Sequence, residues 1–85
     1  MTGRIRLEVL VSVSCAGCAQ ALALAHRFGQ ERPDVGVDVI DVDHSSWRPK
    51  PGFAGTPMFY LGDTVVSYGN PTLAQLHAAV TEAEL

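Results

Sequence analysis

The sequence predicts an α/β domain: a four-stranded mixed sheet packed by two helices, in the order strand, helix, strand, loop, hairpin, helix. An alternating apolar stretch gives way to an Ala/Leu-rich helical stretch at the only two cysteines, Cys15 and Cys18. A second strand pattern follows this helix, and such a connection normally makes two parallel neighbours. Gly62-Asp63, between two apolar runs, is typical of a two-residue hairpin turn.

Length and composition indicate one domain, residues 1–85. Eighty-five residues, 47% of them hydrophobic, are enough for one core. A net charge of -3 disfavours nucleic acid as a partner. The longest apolar run in the first strand, Val9 to Val11, is far too short to span a membrane, and Met1 to Glu8 does not resemble a signal peptide. We therefore expect a cytoplasmic monomer with no membrane partner.

The first half of the chain contains a strand, a helix and a second strand. Ile5 to Val13 alternates, but it is apolar on both faces from Leu10, as in a central strand. Cys15 to about Gly29 is rich in helix formers, and Gly29 is a plausible C-terminal stop. Val35 to Val42 reads as a strand, and its aspartates favour an outer position.

The second half contains a loop, a hairpin and a helix. Asp43 to Gly55 is irregular and rich in proline, which indicates a loop. Pro57 to Leu61 and Thr64 to Tyr68 are the predicted hairpin strands. Asn70 is then expected to cap the last helix, with a proline at its first position.

The spacing of the two cysteines at a helix start favours redox chemistry. The free N–H groups and the dipole of a helix N-terminus stabilise a thiolate. One helical turn separates the two sulfurs, so Cys15 is expected to attack a substrate disulfide and Cys18 to resolve the mixed disulfide. The alternative from the residues alone is a structural pair, either a small disulfide or two buried thiols.

The order of elements, with Gly55-Thr56-Pro57 opening the hairpin, resembles the thioredoxin-like fold, including its small glutaredoxin-like members. The resemblance covers nearly the whole chain. It implies a cis peptide bond at Pro57, and a backbone N–H and C=O at Thr56 that pair with a substrate chain. It also implies that Ala16 and Gly17 face the substrate.

The activity implied by the resemblance is thiol–disulfide exchange with a protein or small-molecule disulfide. It requires no organic cofactor and no metal, but it requires a reductase that the sequence does not identify. The chain departs from the family where Val9 stands in place of a buried aspartate and Val39 near its partner lysine. The glutathione contacts of glutaredoxins are also missing, since only Gly69-Asn70 stands in their place.

Two other functions stay open at this point. Ser14 to Ala19 also resembles the copper-binding loop of heavy-metal-associated domains, and two thiolates suit Cu(I). That loop usually has methionine where this chain has Val13, and its ferredoxin-like fold ends in a strand rather than a helix. The third possibility is a thioredoxin-like interaction domain without catalytic activity.

Overall fold

A computed structural model describes residues 5–85, so the first four residues of the Met1 to Glu8 segment lie outside it. The sheet order is β2-β1-β3-β4, with β1 parallel to β2 and the other neighbours antiparallel. The predicted class, the mixed sheet and the outer position of the second strand are confirmed. The elements are β1 (Arg6–Val11), α1 (Cys18–Glu31), β2 (Gly36–Asp41), β3 (Met58–Leu61), β4 (Thr64–Tyr68) and α2 (Leu73–Ala83).

Strand β1 is the centre of the sheet and is buried on both faces. Val9 pairs with Val39 of β2 on one side and with Phe59 of β3 on the other. Val9 packs into the larger core cluster, whereas Leu10 belongs to the cluster on the opposite face. The loss of polar alternation at Leu10 therefore identified a central strand correctly.

The two faces of the sheet are covered differently. Both helices pack against one face, where their apolar residues complete the larger cluster. The other face carries Leu10, Met58 and Tyr60, and the irregular loop covers it through Trp47 and Phe53. The larger cluster contains Leu7, Val9, Ala21, Ala25, Phe28, Val35, Phe59, Leu76 and Val80.

Lys50 and Tyr60 fasten this loop to the sheet. The Lys50 ammonium forms a salt bridge with Glu8 and donates a hydrogen bond to the carbonyl of Gly62. It also lies 4.7 Å from the centre of the Tyr60 ring, a cation–π contact. The Tyr60 hydroxyl donates to the Pro51 carbonyl at 3.0 Å, and burial raises the pKa of this phenol. The loop therefore covers this face of the sheet, as the helices cover the other face.

The boundaries of α1 differ from the prediction at both ends. The helix begins at Cys18, with Gly17 as its N-cap, so Cys15 lies in the turn before it. The helix also continues past Gly29 to Glu31. Gly29 keeps helical geometry and faces Val37 of β2. Pro33 provides the physical stop, since it disfavours helical geometry in the residue before it.

The predicted cap of α2 is wrong. Thr72, not Asn70, caps the helix: its hydroxyl accepts from the Gln75 N–H at 3.0 Å, and the Gln75 side chain accepts from the Thr72 N–H at 2.7 Å. This reciprocal pair is a capping box. Within residues 5–85, neither helix is long and apolar enough to cross a membrane.

The capping box predicts the effect of Thr72→Ala. The substitution leaves the N–H of Gln75 without its acceptor, so the free energy of unfolding should fall by about 1 kcal/mol. Urea denaturation measures this change. Thr81→Ala is the matched control, because Thr81 is exposed within α2 and caps nothing there. Equal stability of the two variants would contradict the role of the box.

An ionic cluster beside the C-terminal ends of both helices predicts sensitivity to acid. The Arg32 guanidinium donates hydrogen bonds to the carboxylate of Asp34 at 2.8 and 2.9 Å and to that of Glu84 at 2.7 Å. Its hydrogen bonds lower the pKa of Asp34 from 3.8 to about 2. The hydrogen bond from His77 likewise lowers the pKa of Glu31.

Because these folded-state pKa values lie below the unfolded ones, the carboxylates stabilise the fold above about pH 4, and this contribution is lost as pH falls towards about 2. Asp34→Asn should therefore reduce the dependence of the unfolding free energy on pH in this range. Chemical denaturation at several pH values measures it. Glu82→Gln is the control, since Glu82 forms no salt bridge within residues 5–85. An unchanged pH dependence for Asp34→Asn would contradict this account.

Candidate active site

Cys15 and Cys18 form a disulfide, with their Cα atoms 5.4 Å apart. The two residues differ in accessibility. Cys15 is partly exposed, whereas Cys18 is only 5% exposed and begins α1. A reagent in solvent can therefore reach the first sulfur much more readily than the second.

The cysteines lie where β1 leaves the sheet. The carbonyl of Val11 still accepts from the Val42 N–H at 3.0 Å, and the N–H of Val13 then donates to the carboxylate of Asp43 at 3.1 Å. These two bonds hold the chain from β1 against the end of β2. The cysteine turn thus starts from a fixed point at the carboxyl end of the central strand.

The start of α1 has no side-chain cap. Gly17 occupies the N-cap position without a side chain to offer, and the first turn contains no acidic residue. The first N–H groups of a helix have no intrahelical acceptors, and the dipole there favours negative charge. The free N–H groups and the dipole would both stabilise a thiolate at Cys15.

Thr56 and Pro57 form a wall beside the cysteine turn. Their peptide bond is cis, and Pro57 is buried. A Cβ built on Gly17 would lie 3.5 Å from the Pro57 ring, so the turn and the proline are in close contact. Within residues 5–85, the N–H and C=O of Thr56 make no backbone hydrogen bond. These two groups are therefore left without a backbone partner in the described part of the chain.

The pairing registers explain why these segments meet. In the β1–β3 ladder, Leu10 pairs with Met58. Ser12, two residues after Leu10, lies near Thr56, two residues before Met58, and their side-chain oxygens are 3.0 Å apart. The two hydroxyls therefore fix the distance between the strand that leads into the cysteines and the loop that carries the proline.

A third segment, Gly69-Asn70, reaches the site from the end of β4. The Gly69 N–H donates to the Pro57 carbonyl at 2.9 Å. The Asn70 side chain donates from Nδ2 to the carbonyl of Gly17 at 3.0 Å. Sequence reasoning missed this role because Asn-Pro suggests a helix cap, and no local pattern shows a contact across 53 positions. Its place at the end of the hairpin, where the resemblance puts the glutathione contacts of glutaredoxins, is the signal that the sequence offers.

The structure brings together all the residues that the sequence proposed for this site. Cys15, Gly17, Thr56 and Pro57 lie together as described, and Ala16 is exposed in the turn between the cysteines. Within the part of the chain that is described, no group of three or more His, Cys, Asp or Glu residues could hold a metal ion. Beneath the site, fully buried Val9 supplies no charge, and its sheet neighbour Val39 is an exposed valine on the outer strand.

A central strand leading into a cysteine pair at a helix start, a proline-opened hairpin and a closing helix together define the thioredoxin-like fold. The chain is similar to the X-ray structure of a thioredoxin from Fasciola hepatica, with a TM-score of 0.71, 19% sequence identity, and coverage of 95% of this chain and 82% of that one. At this identity the likeness shows the fold alone. No protein-family model matches the sequence, and no curated protein does.

The difference in burial predicts selective labelling. After reduction, a limiting amount of iodoacetamide should modify Cys15 and leave most of Cys18 free, because Cys15 is partly exposed and Cys18 is only 5% exposed. Tandem mass spectrometry of the alkylated protein locates the label. In denaturant, where burial is lost, both cysteines should react at similar rates. Preferential labelling of Cys18 in the folded protein would contradict the assignment.

Proposed function

We propose that the protein is a thiol–disulfide oxidoreductase. The observation that carries this proposal is the asymmetry of the cysteine pair. Cys15 is partly exposed beside the unpaired backbone of Thr56, whereas Cys18 is 5% exposed at the start of α1. The Cys15 sulfur can thus contact a substrate, whereas the Cys18 sulfur can contact only the Cys15 sulfur.

Exchange begins when the Cys15 thiolate attacks one sulfur of a substrate disulfide. A bond forms between Cys15 and that sulfur, the substrate S–S bond breaks, and the second substrate sulfur leaves as a thiolate that takes up a proton. Cys18 then loses its proton and attacks the Cys15 sulfur. The Cys15–Cys18 disulfide forms, and the remaining substrate sulfur leaves as a thiol. The substrate has gained two electrons, and the protein has lost two.

The wall formed by Thr56 and Pro57 is proposed to position the substrate. An extended peptide can pair with the free N–H and C=O of Thr56, as an added strand pairs with a sheet edge. Ala16 and Gly17 offer no bulky side chain, so a substrate sulfur can approach Cys15 from this side. A protein or small-molecule disulfide that presents an exposed sulfur fits this surface.

The electrons must be returned by an external reductant. A cellular thiol or dithiol would reduce the Cys15–Cys18 bond by the same two exchange steps in reverse and would itself become a disulfide. No organic cofactor or metal enters these steps. The need for a reductase, which the sequence does not identify, and a cytoplasmic location stay predictions of the sequence.

The copper-carrier alternative loses its structural basis. It required a ferredoxin-like fold that ends in a strand, whereas the last element of this chain is α2, Leu73–Ala83, packed with the larger core cluster. Binding of Cu(I) by the two thiolates remains a distinct outcome of the test below.

The decisive experiment traps the mixed disulfide. Reduced Cys18→Ser protein, incubated with an unfolded protein that contains disulfides, should form a stable covalent adduct on Cys15, because the resolving sulfur is absent. Non-reducing electrophoresis and mass spectrometry detect the adduct. Cys15→Ser is the matched control and should form little, because its remaining sulfur is buried.

Failure of the Cys18→Ser protein to form an adduct would refute the proposal. If the wild type then bound Cu(I) tightly at one ion per chain, the function would be metal transfer. If it showed neither property, the protein would be an interaction domain that keeps the fold without the activity.

A further inference from the structure

The side chain of Asn70 connects the loop after β4 to the cysteine turn. Nδ2 donates to the Gly17 carbonyl at 3.0 Å. A carbonyl can only accept, so this contact fixes which end of the amide faces Gly17. The other end, Oδ1, is buried and has no hydrogen-bond partner among residues 5–85.

The stability of the fold does not by itself explain why the Asn70 amide lies in this position. A hydrogen bond contributes about 0.5–1.5 kcal/mol net, whereas a buried acceptor without a partner costs about 1–3 kcal/mol. The gain at Gly17 is therefore offset by the loss at Oδ1. A buried unsatisfied group in a folded protein calls for a specific explanation, and its contact with the cysteine turn supplies one.

The backbone that carries Asn70 is held on both sides. Gly69 adopts a positive φ of +86°, donates its N–H to Pro57 at 2.9 Å and accepts from the Ser67 hydroxyl at 3.0 Å. Pro71, on the other side, is buried. The amide is thus presented to the turn from a fixed position rather than from a free loop.

Gly17 is in direct contact with this amide. A Cβ built on Gly17 would lie 3.2 Å from Nδ2, closer than side chains normally approach. The same Gly17 carbonyl accepts from the Ala21 N–H at 3.1 Å, the first hydrogen bond of α1. Asn70 therefore acts on the residue that joins the cysteine turn to the helix and is bonded directly to Cys18.

We propose that Asn70 is a positioning residue for the redox pair: its amide holds the Gly17 carbonyl where the Cys15–Cys18 disulfide needs it, so the loop after β4 favours the disulfide over the dithiol. The proposal rests on the proposed function. The hydrogen bond belongs to the disulfide conformation, and reduction frees the two sulfurs from each other. The turn can then relax, and the contact with Asn70 weakens.

The test is the equilibrium between the reduced protein and a glutathione redox buffer, measured by quenching with an alkylating agent. For Asn70→Ala, the equilibrium constant for forming the Cys15–Cys18 disulfide should fall by about two- to tenfold, the equivalent of one hydrogen bond. A tenfold fall corresponds to about 30 mV in reduction potential. A constant that is unchanged or increased would overturn the proposal.

Gly17→Ala tests whether Asn70 acts through Gly17. The new methyl group would displace the amide, so this variant should shift the equilibrium in the same direction as Asn70→Ala. In the Asn70→Ala background the amide is already gone, and Gly17→Ala should then have little further effect. Fully additive effects in this double-mutant cycle would overturn the proposal.

Thr72→Ala is the control for a general loss of stability, because it weakens the start of α2 two residues away without touching the cysteine turn. Its disulfide equilibrium should match that of the wild type. An equal shift in Thr72→Ala and Asn70→Ala would reduce Asn70 to a structural role. Adduct formation by the Cys18→Ser protein tests the exchange reaction independently, so failure of the proposed function is distinguished from failure of the role of Asn70.

Discussion

The pairing of β1 on both of its edges is the constraint on which the site depends. The chain that leaves β1 carries the cysteines, and the chain that enters its neighbour β3 carries Thr56 and Pro57. Because the two strands are antiparallel, the exit of one lies beside the entrance of the other. In the β3–β4 hairpin Met58 pairs with Tyr68, and the Gly69–Pro57 hydrogen bond beyond this pair holds the segment whose next residue, Asn70, contacts the cysteine turn. Three segments distant in sequence thus meet through two strand registers.

The two faces of the sheet are covered by different elements, and most of the groups that stabilise the fold lie away from the cysteine turn. The helices supply most of the apolar burial on one face, and the loop fastened by Lys50 covers the other. Lys50 lies with Gly62 and Glu8, towards the hairpin turn and away from the cysteines. The Arg32 cluster lies beyond the C-terminal end of α1. The Lys50 and Arg32 ion pairs therefore lie away from the cysteine turn, and the carboxylate of Asp43 is the ionic group that holds the chain beside it.

The sequence predicted the features that depend on local pattern and missed those that depend on distant contacts. Leu10 indicates the central strand, and Gly62-Asp63 indicates the hairpin turn. Both features can be predicted because burial and turn geometry determine the residue types within a few positions. The sequence predicts a helix stop at Gly29 because glycine often ends helices, yet Gly29 faces β2 and the helix continues. The sequence predicts a cap at Asn70 because nothing local shows that its amide is hydrogen-bonded to Gly17. Thr72 and Gln75 have the Thr-x-x-Gln spacing of a capping box, but Asn-Pro is the stronger local signal.

Val9 determines which kinds of group can tune the cysteine pair. It is fully buried under the helices, where a carboxylate without a cationic partner would be costly to ionise. With an aliphatic residue there, the groups beside the cysteine turn are neutral dipoles: the first N–H groups of α1, which would favour a thiolate, and the Asn70 amide, which holds the Gly17 carbonyl. Such groups lie in loops and at a helix end, so they can change without disturbing the core. In the proposed exchange reaction, the reactivity of this pair would therefore depend on the position of its backbone rather than on a titrating side chain at position 9.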